Sequence, residues 1–515
     1  MCGFAGFIDA PSAQQEQRRI LQGMGRQLAR RGPDDQQVII RPHIGFVFRR
    51  LSIVDPETGR QPIWNEDNTL FTAVNGEIYN HLELREKLNP GHCFKTKSDS
   101  EIVLHLYEEY GPGMLKWLNG MFAIAIWDTR REELFIARDR FGIKPLYYVK
   151  QNQNTAPFLF GSEIKTLLAH PACPREICWE DVSVAQGYRA SRLTSFIEGI
   201  DQLPGGYYAT YSEGRFQKFQ YWSLEEYLHR GPDTSKTSAA FQEEYTALLE
   251  ESVKMHLMSD APLGSFLSGG LDSAVITAIA ARQNPDYHCF NIVEPTARSS
   301  GDTERALGVA EYLGISLHQV LIDYDRLLRQ LDFSLETFEY YTWMIEAPLF
   351  DLEWIFKHEL HRFARTVEPR LKVILVGQGA DEFAGGYSNP YDAPRPGWES
   401  YLEFLAQRQQ KEMLKRIGMP PSLMELSSGG VYTERQEMPS HQDSLSFFQK
   451  EMLQRILSLQ FHNLRHEDRT GAAQGIEVRV PFLDYRLVEL LASIPPTLHP
   501  KLFWDKRIIR DAGKQ

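Results

Sequence analysis

At 515 residues the chain is too long for one hydrophobic core, and two or more domains are expected. Its 42% hydrophobic and 24% charged residues exclude a disordered protein, and a formal net charge of −12 offers no basic face for nucleic acid. No apolar run approaches the roughly 18 residues that span a bilayer, and the start, Met1-Cys2-Gly3-Phe4-Ala5-Gly6, lacks the regions of a secretory signal. The cysteines Cys2, Cys93, Cys173, Cys178 and Cys289 are odd in number and scattered, which suits a reducing compartment. A cytoplasmic protein with neither a membrane nor a nucleic-acid partner is the expectation.

Up to about residue 211 the strongest signal is short alternating strands, at 44–54, 69–74, 122–127, 133–138 and 158–160. Helical patterns interrupt at 14–30 and 101–110. Strands that pair locally with few helices predict an antiparallel α+β layer structure. Cys2 stands out. Removal of Met1 would leave a cysteine bearing a free α-amine, whose pKa near 8 suits a general base. One residue would then supply nucleophile and base. Arg50 can clamp an α-carboxylate in a bidentate pair. Glu77 or Asp99 can hold an α-ammonium. Asn75 and the Gly76 N–H suit a tetrahedral oxyanion. Together they describe a pocket for a zwitterionic amino acid, with a thiolate aimed at its side-chain amide. Asn75-Gly76 also reads as a hairpin turn and Ser98 as a helix cap, and both kinds of local structure often carry sites.

Residues 213–238 are polar and turn-rich and read as a linker, dividing a 2–212 unit from a 239–515 unit. Beyond it the period changes. The spacing predicts a helix over 239–258, a strand ending in Leu267, a helix through 274–281, and a strand over 287–293. A helix over 303–313 and strands over 316–322 and 371–376 follow. Strands alternating with helices imply a parallel sheet with ligands at the carboxyl ends of its strands. The loop Leu267-Ser268-Gly269-Gly270-Leu271-Asp272-Ser273 falls at such an end. Its glycines let backbone N–H groups approach an anion, and the new helix adds its positive pole. No lysine follows, so it is not a Walker A loop. Asp272 beside a phosphate requires a divalent cation between them. The loop therefore predicts a nucleotide with Mg²⁺. A second loop, Val376-Gly377-Gln378-Gly379-Ala380-Asp381, occupies the equivalent place after the next strand, and Asp381 can join Asp272 on the metal. Lys506 lies in a helical pattern near the end, where a lysine is usually only a solvated charge.

Several stretches carry a resemblance. Met1 to Gly6, Arg31-Gly32-Pro33-Asp34, Arg50-Leu51-Ser52-Ile53-Val54-Asp55, Asn75-Gly76-Glu77-Ile78-Tyr79-Asn80 and Arg138-Asp139-Arg140-Phe141-Gly142 resemble the glutaminase domain of the glutamine-hydrolysing asparagine synthetase family. The resemblance implies a class II amidotransferase with the N-terminal-nucleophile αββα fold, in which Cys2 forms a glutamyl thioester and releases ammonia. It places Arg50, Asn75, Gly76, Glu77 and Asp99 in the glutamine pocket. The second half resembles the family's synthetase domain, an adenine-nucleotide α-hydrolase-like α/β fold. That implies ATP bound by Leu267, Ser268, Gly269, Gly270, Asp272, Ser273, Val376 and Gly377, with Mg²⁺ on Asp272 and Asp381. Lys506 is implied at the pyrophosphate or the developing charge. The implied chemistry is adenylation of a carboxylate followed by amide formation, with release of AMP and pyrophosphate. The partners expected are glutamine, ATP and a carboxylate acceptor, and the assembly allowed for is a homodimer.

The chain departs from the family in the second loop. The usual sequence is Ser-Gly-Glu-Gly-Ala-Asp-Glu, whereas this chain has Val376 for the serine and Gln378 for the first glutamate. A carboxylate can take a proton from an attacking ammonium and a carboxamide cannot, so Gln378 bears on catalysis. The segment after Lys506 is also shorter than in typical members. Asparagine formation from aspartate is the default reading. Amidation of a different carboxylate in a specialised pathway is the alternative that these departures favour. An intramolecular lactam or lasso cyclase needs no ammonia, and retention of Cys2 argues against it.

Overall fold

The computed structural model describes residues 1–9, 13–149, 157–179, 195–284, 286–293, 301–322, 334–347, 352–389, 397–417 and 445–514. Among the described residues, twelve strands make up the amino-terminal domain. They are β1 (Gly3–Ile8), β2 (Asp35–Arg41), β3 (Ile44–Arg50), β4 (Ile63–Trp64), β5 (Leu70–Ile78), β6 (Gly120–Asp128), β7 (Glu133–Arg138), β8 (Tyr147–Val149), β9 (Phe158–Gly161), β10 (Ile200–Gln202), β11 (Tyr207–Ser212) and β12 (Arg215–Gln220). They form two six-stranded sheets, ordered β10-β8-β9-β1-β3-β2 and β12-β11-β7-β6-β5-β4. Flanking them are α1 (Gln14–Gln27), α2 (His81–Lys87), α3 (Glu101–Tyr110) and α4 (Ile164–Leu168). Phe4, Phe46, Phe71, Trp127 and Phe160 fill the space between the sheets. Leu21 and Met24 of α1 and Leu167 of α4 pack on the outer face of the first sheet. Leu84 of α2 and Ile102 and Leu106 of α3 pack on the outer face of the second. This is the expected αββα sandwich.

The differences from the sequence reading have local causes. β1 is buried on both faces, so it shows a continuous apolar run rather than alternation and escaped notice. The strand expected over 44–54 ends at Arg50, because Leu51 and Ile53 leave the sheet for the core shared with the second domain. The strand expected over 69–74 runs on to Ile78, so Asn75-Gly76 lies inside a strand and is not a hairpin turn. Within 213–238, read as a linker, β12 pairs antiparallel with β11 and Leu224–His229 is helical. β12 is a polar, exposed edge strand, whose composition resembles that of a loop.

The carboxyl-terminal domain holds one parallel five-stranded sheet. Its strands are β13 (Leu263–Phe266), β14 (His288–Val293), β15 (Ser316–Leu321), β16 (Val373–Leu375) and β17 (Glu477–Arg479), ordered β15-β14-β13-β16-β17. The chain lays β14 and β15 on one side of β13 and then crosses to place β16 and β17 on the other. The strand order therefore reverses between β13 and β16. Crevices at such reversals, outside the carboxyl ends of the strands, are where open α/β sheets bind ligands. The two loops singled out in the sequence leave β13 and β16, so they flank this crevice. No helix among the described residues is long and apolar enough to cross a membrane.

Candidate functional site

Cys2 leads directly into β1, an interior strand anchored by β3 on one side and β9 on the other. Its thiol lies 3.6 Å from the Leu51 carbonyl oxygen. Burial pushes that thiol up to about 11 and pulls the Met1 amine down to about 5. Met1 is fully buried, with its thioether 3.5 Å from Arg31 Nη1. Asn75 is fully buried, and neither atom of its carboxamide has a hydrogen-bond partner among the described residues. A buried, unsatisfied amide costs free energy unless a ligand completes it. Gly76 has φ +137°, and a Cβ there would sit 1.9 Å from the Met121 carbonyl oxygen on β6. Only glycine lets the two strands approach this closely.

Arg50 donates to the carbonyls of Pro56 (3.2 Å), Val54 (3.1 Å) and Asp55 (2.6 Å). Its Nε makes no hydrogen bond among the described residues. Gly59 packs against both Arg50 and Ser98, and the Asp55 carboxylate accepts from Lys97 N at 2.9 Å. The Arg50 loop and the Asp99 loop are thus one wall. Asp99 accepts from Ile78 N at 2.7 Å. Burial raises the carboxyls of both Glu77 and Asp99, and their mutual proximity adds to the rise at Glu77. Arg479 Nη2, 3.4 Å from Glu77, partly offsets this. The structure brings Arg50, Glu77 and Asp99 to one side of the sandwich, with Cys2 close enough to Glu77 to feel its charge.

At the crevice between β13 and β16, Gly269 has φ +85°, and a Cβ there would sit 2.1 Å from the Asp302 carbonyl oxygen. Ser268 and Ser273 hold the loop in shape, with their hydroxyls 3.0 Å apart and Ser268 N donating to Ser273 Oγ at 3.2 Å. Asp272 sits against the second loop, where a Cβ on Gly377 would lie 2.9 Å from its own Cβ. Lys506 Nζ reaches Asp272 Oδ2 at 2.6 Å and Asp381 Oδ1 at 2.5 Å. Lys506 does not lie in a regular helix as expected. It and Asp505 both adopt left-handed backbone, with φ of +54° and +53°. Ser388 braces the kink by accepting from Asp505 N at 2.9 Å and donating to Phe503 O at 3.3 Å. Strained backbone held by its surroundings is a mark of functional segments. Burial pushes Asp272 up to about 6, against the pull of Lys506. Burial works against the charge on Lys506, but Asp272 and Asp381 outweigh it and raise that amine. Asp272 Oδ1 is buried without a hydrogen-bond partner among the described residues. Two convergent carboxylates with an orphaned oxygen are a donor set that fits a hard divalent cation such as Mg²⁺.

Gln378 is fixed rather than free. Its Nε2 donates to Glu467 at 3.3 Å, and its Oε1 accepts from Asn463 at 3.2 Å. Glu467 in turn pairs with Lys357 at 2.8 Å. Val376 N donates to Arg479 O at 3.0 Å, a main-chain bond that any residue at 376 would make.

That bond identifies what sequence reasoning missed. β17 is three residues long and carries two charges, too short and too polar to read as a strand. Yet Arg479 is fully buried, with its carbonyl on the second loop and its guanidinium on Glu77 of the amino-terminal sandwich. Glu477 lies 3.8 Å from Lys144. Beside it, Arg31 is paired with Glu163 at 2.8 Å and with Asp468. Arg469 joins Glu163 at 3.1 Å to Glu346 at 2.8 Å. The two domains therefore meet across a buried seam of alternating charges. The only hint in the sequence is Glu and Arg on either side of Val478 in an otherwise apolar stretch.

An αββα sandwich headed by a buried cysteine, joined to a parallel sheet with two acidic loops at its reversal point, defines a two-site enzyme of the amidotransferase–ligase class. Residues 1–222 match the family described as glutamine amidotransferase domain, and residues 244–515 match the family described as asparagine synthase. Asparagine synthetase (glutamine-hydrolyzing) 2 of Bacillus subtilis is 39% identical over 525 aligned positions, covering 99% of this chain and 69% of the relative. Asparagine synthetase B (glutamine-hydrolyzing) of Escherichia coli is 28% identical, over 96% of this chain and 76% of the relative. Amidase chyE of Penicillium rubens is also 28% identical, over 100% of this chain and 86% of the relative. The chain belongs to the glutamine-hydrolysing asparagine synthetase family.

Proposed function

We propose that the protein hydrolyses glutamine at Cys2 and uses the ammonia to amidate a carboxylate that it has activated with ATP. The observation that carries this reading is the placement of β17, which backs Glu77 of the glutamine pocket and the loop after β16 at once. Two half-reactions that share an unstable nitrogen donor gain from such contact. We divide the chain into a glutaminase unit, 2–212, and a synthetase unit, 239–515. In the first, release of Met1 exposes the Cys2 amine as base, and the thiolate attacks the glutamine amide. Arg50 takes the α-carboxylate, while Glu77 and Asp99 take the α-ammonium. Asn75 and the Gly76 N–H stabilise the oxyanion, and water then releases glutamate from the thioester. In the second, Leu267 to Gly270, Ser273, Val376 and Gly377 bind ATP, and Asp272 and Asp381 would hold Mg²⁺. The metal would neutralise charge on the phosphates. Lys506 supplies the matching protein cation as pyrophosphate leaves and the acyl-adenylate forms. Ammonia then displaces AMP.

Aspartate is the default acceptor and asparagine the default product, within the cytoplasm. A second reading, amidation of another carboxylate, is favoured by Gln378, whose carboxamide is pinned between Asn463 and Glu467. Purified enzyme with glutamine, ATP, Mg²⁺ and a panel of carboxylic acids tests both. AMP formation with aspartate supports the first. Silence with aspartate and a response to another acid supports the second, and silence with every acid while glutamine is hydrolysed would sink both.

A further inference from the structure

The outer face of the glutaminase sandwich carries a cluster that the proposed reaction does not use. Glu66 lies in the turn between β4 and β5, His92 in the segment before α3, and His105 and Glu108 one turn apart on α3. Four ligand atoms, one from each residue, all lie within 4.8 Å of one another. His92 Nδ1 is 3.8 Å from Glu66 Oε1 and 3.6 Å from Glu108 Oε2. His105 Nδ1 is 3.8 Å from the same Glu66 oxygen and 3.0 Å from the same Glu108 oxygen. Three of these four separations are too long for hydrogen bonds. All four are close to the edge of a tetrahedron around zinc, about 3.4 Å for ligands at zinc's usual bond lengths. The four ligand atoms thus converge on one point, with the His105 Nδ1–Glu108 Oε2 contact the one direct hydrogen bond among these four pairs.

The surroundings hold the ligands in place. His92 Nε2 lies 3.0 Å from Glu109 Oε1, which turns its Nδ1 toward the cluster, the arrangement in which an outer carboxylate fixes the tautomer of a metal-ligating histidine. His105 Nε2 is buried without a hydrogen bond among the described residues, with Glu101 Oε1 3.7 Å away, and its Nδ1 faces Glu108 at 3.0 Å. Glu66 Oε1 accepts from Cys93 N at 2.7 Å, and Glu108 Oε1 accepts from Asn65 Nδ2 at 2.8 Å. His105 is buried, while Glu66 borders solvent and leaves an entry path. The other grouping of this type, Glu353, His462 and His466, is poorer, because Trp354 Nε1 already donates to His466 Nε2.

We propose that Glu66, His92, His105 and Glu108 form a structural binding site for a divalent transition metal of the zinc class. With four protein ligands and no open position it would be a closed site. It would staple the β4–β5 turn and the segment around His92 onto α3, the helix that follows Asp99 of the glutamine pocket. The site stands on its own geometry, whatever the acceptor of the synthetase.

The test uses the full-length protein, stripped with a chelator and dialysed, then titrated with Zn²⁺ by calorimetry and with Co²⁺ by visible spectroscopy. The expected result is one Zn²⁺ per chain, a four-coordinate Co²⁺ spectrum, and a Zn²⁺-dependent rise in the thermal midpoint. His92→Gln and Glu66→Gln, both partly exposed and tolerable to the fold, should each weaken Zn²⁺ binding at least 100-fold and abolish the midpoint rise. His462→Gln should leave both unchanged. Absence of stoichiometric Zn²⁺ binding would overturn the proposal. So would wild-type binding in the His92→Gln and Glu66→Gln proteins, or loss of binding in His462→Gln.

Discussion

Replacing Lys506 with methionine keeps the aliphatic stem and removes the charge shared by Asp272 and Asp381. Because both carboxylates reach one nitrogen, at 2.6 Å and 2.5 Å, they lie about 5 Å apart at most. Two unit charges at that separation repel by roughly 3 kcal/mol at the effective dielectric of a partly buried site. Asp272 is already pushed up to about 6, and Lys506 is the group restraining it. Without the lysine, its carboxyl rises further and a larger share of it is protonated at neutral pH. In the proposed reading a metal ligand is lost with the proton. Loss of the charge proposed to face the leaving pyrophosphate adds a rate penalty of about 10²–10³-fold. The assay is AMP formation with an ammonium salt as nitrogen source, together with equilibrium binding of Mg·ATP across pH. Binding requires the deprotonated carboxylate, so in the wild type it weakens as pH falls through about 6. In Lys506→Met that midpoint moves to higher pH and AMP formation falls at least 100-fold. A loss under tenfold, with the wild-type midpoint retained, would refute the reasoning.

Four further outcomes follow from the same geometry. Cys2→Ala should abolish glutamine-dependent AMP formation and spare the ammonia-dependent reaction, and equal loss of both would contradict two separate sites. Gly76→Ala forces a Cβ to within 1.9 Å of Met121 O at φ +137°. Backbone strain of about 1–3 kcal/mol should lower the thermal midpoint by several degrees and cut glutamine hydrolysis, while synthesis from free ammonia persists; an unchanged midpoint would show that the strand relaxes. Glu163→Gln leaves Arg31, Arg469 and Lys165 without their shared anion and should cost about 3–5 kcal/mol in unfolding experiments. Burial opposes the Glu163 charge, but those three cations overcome it and hold the carboxyl well below its usual range, so this stability is present above about pH 4.5 and is lost only in strong acid. Gln378→Glu should alter the ratio of AMP formation between acceptor acids, and a uniform change across the panel would detach residue 378 from acceptor choice.

Much of this was legible because the decisive features are local. A strand, two glycines and an acidic residue at the start of a helix are a local pattern, so the strand–loop–helix form around Ser268 to Ser273 could be read from spacing alone. α3 and β7 matched their predicted bounds, since strong periodicity over a full element leaves little for tertiary context to change. Asn75-Gly76 was ambiguous for the same reason. As a dipeptide it fits a turn, and only the pairing of β5 with β6 makes it part of a strand.

The sequence by itself determined the change from antiparallel to parallel sheet along the chain and the two loops that flank the crevice, and it named the candidate residues of both proposed sites. It could not supply the seam. β17 has too few residues to show a period, and the ion pairs Arg31–Asp468 and Glu77–Arg479 join positions hundreds of residues apart. From its own surroundings in the sequence Lys506 reads as a solvated charge, and only the family resemblance put it at the pyrophosphate; the left-handed turn at Asp505 is what carries it to the two aspartates. Cation sites and ion pairs depend on distances of a few ångströms between distant parts of the chain. Those distances are set only when the two sheets and the interface between them have packed, so the tertiary structure alone decided them.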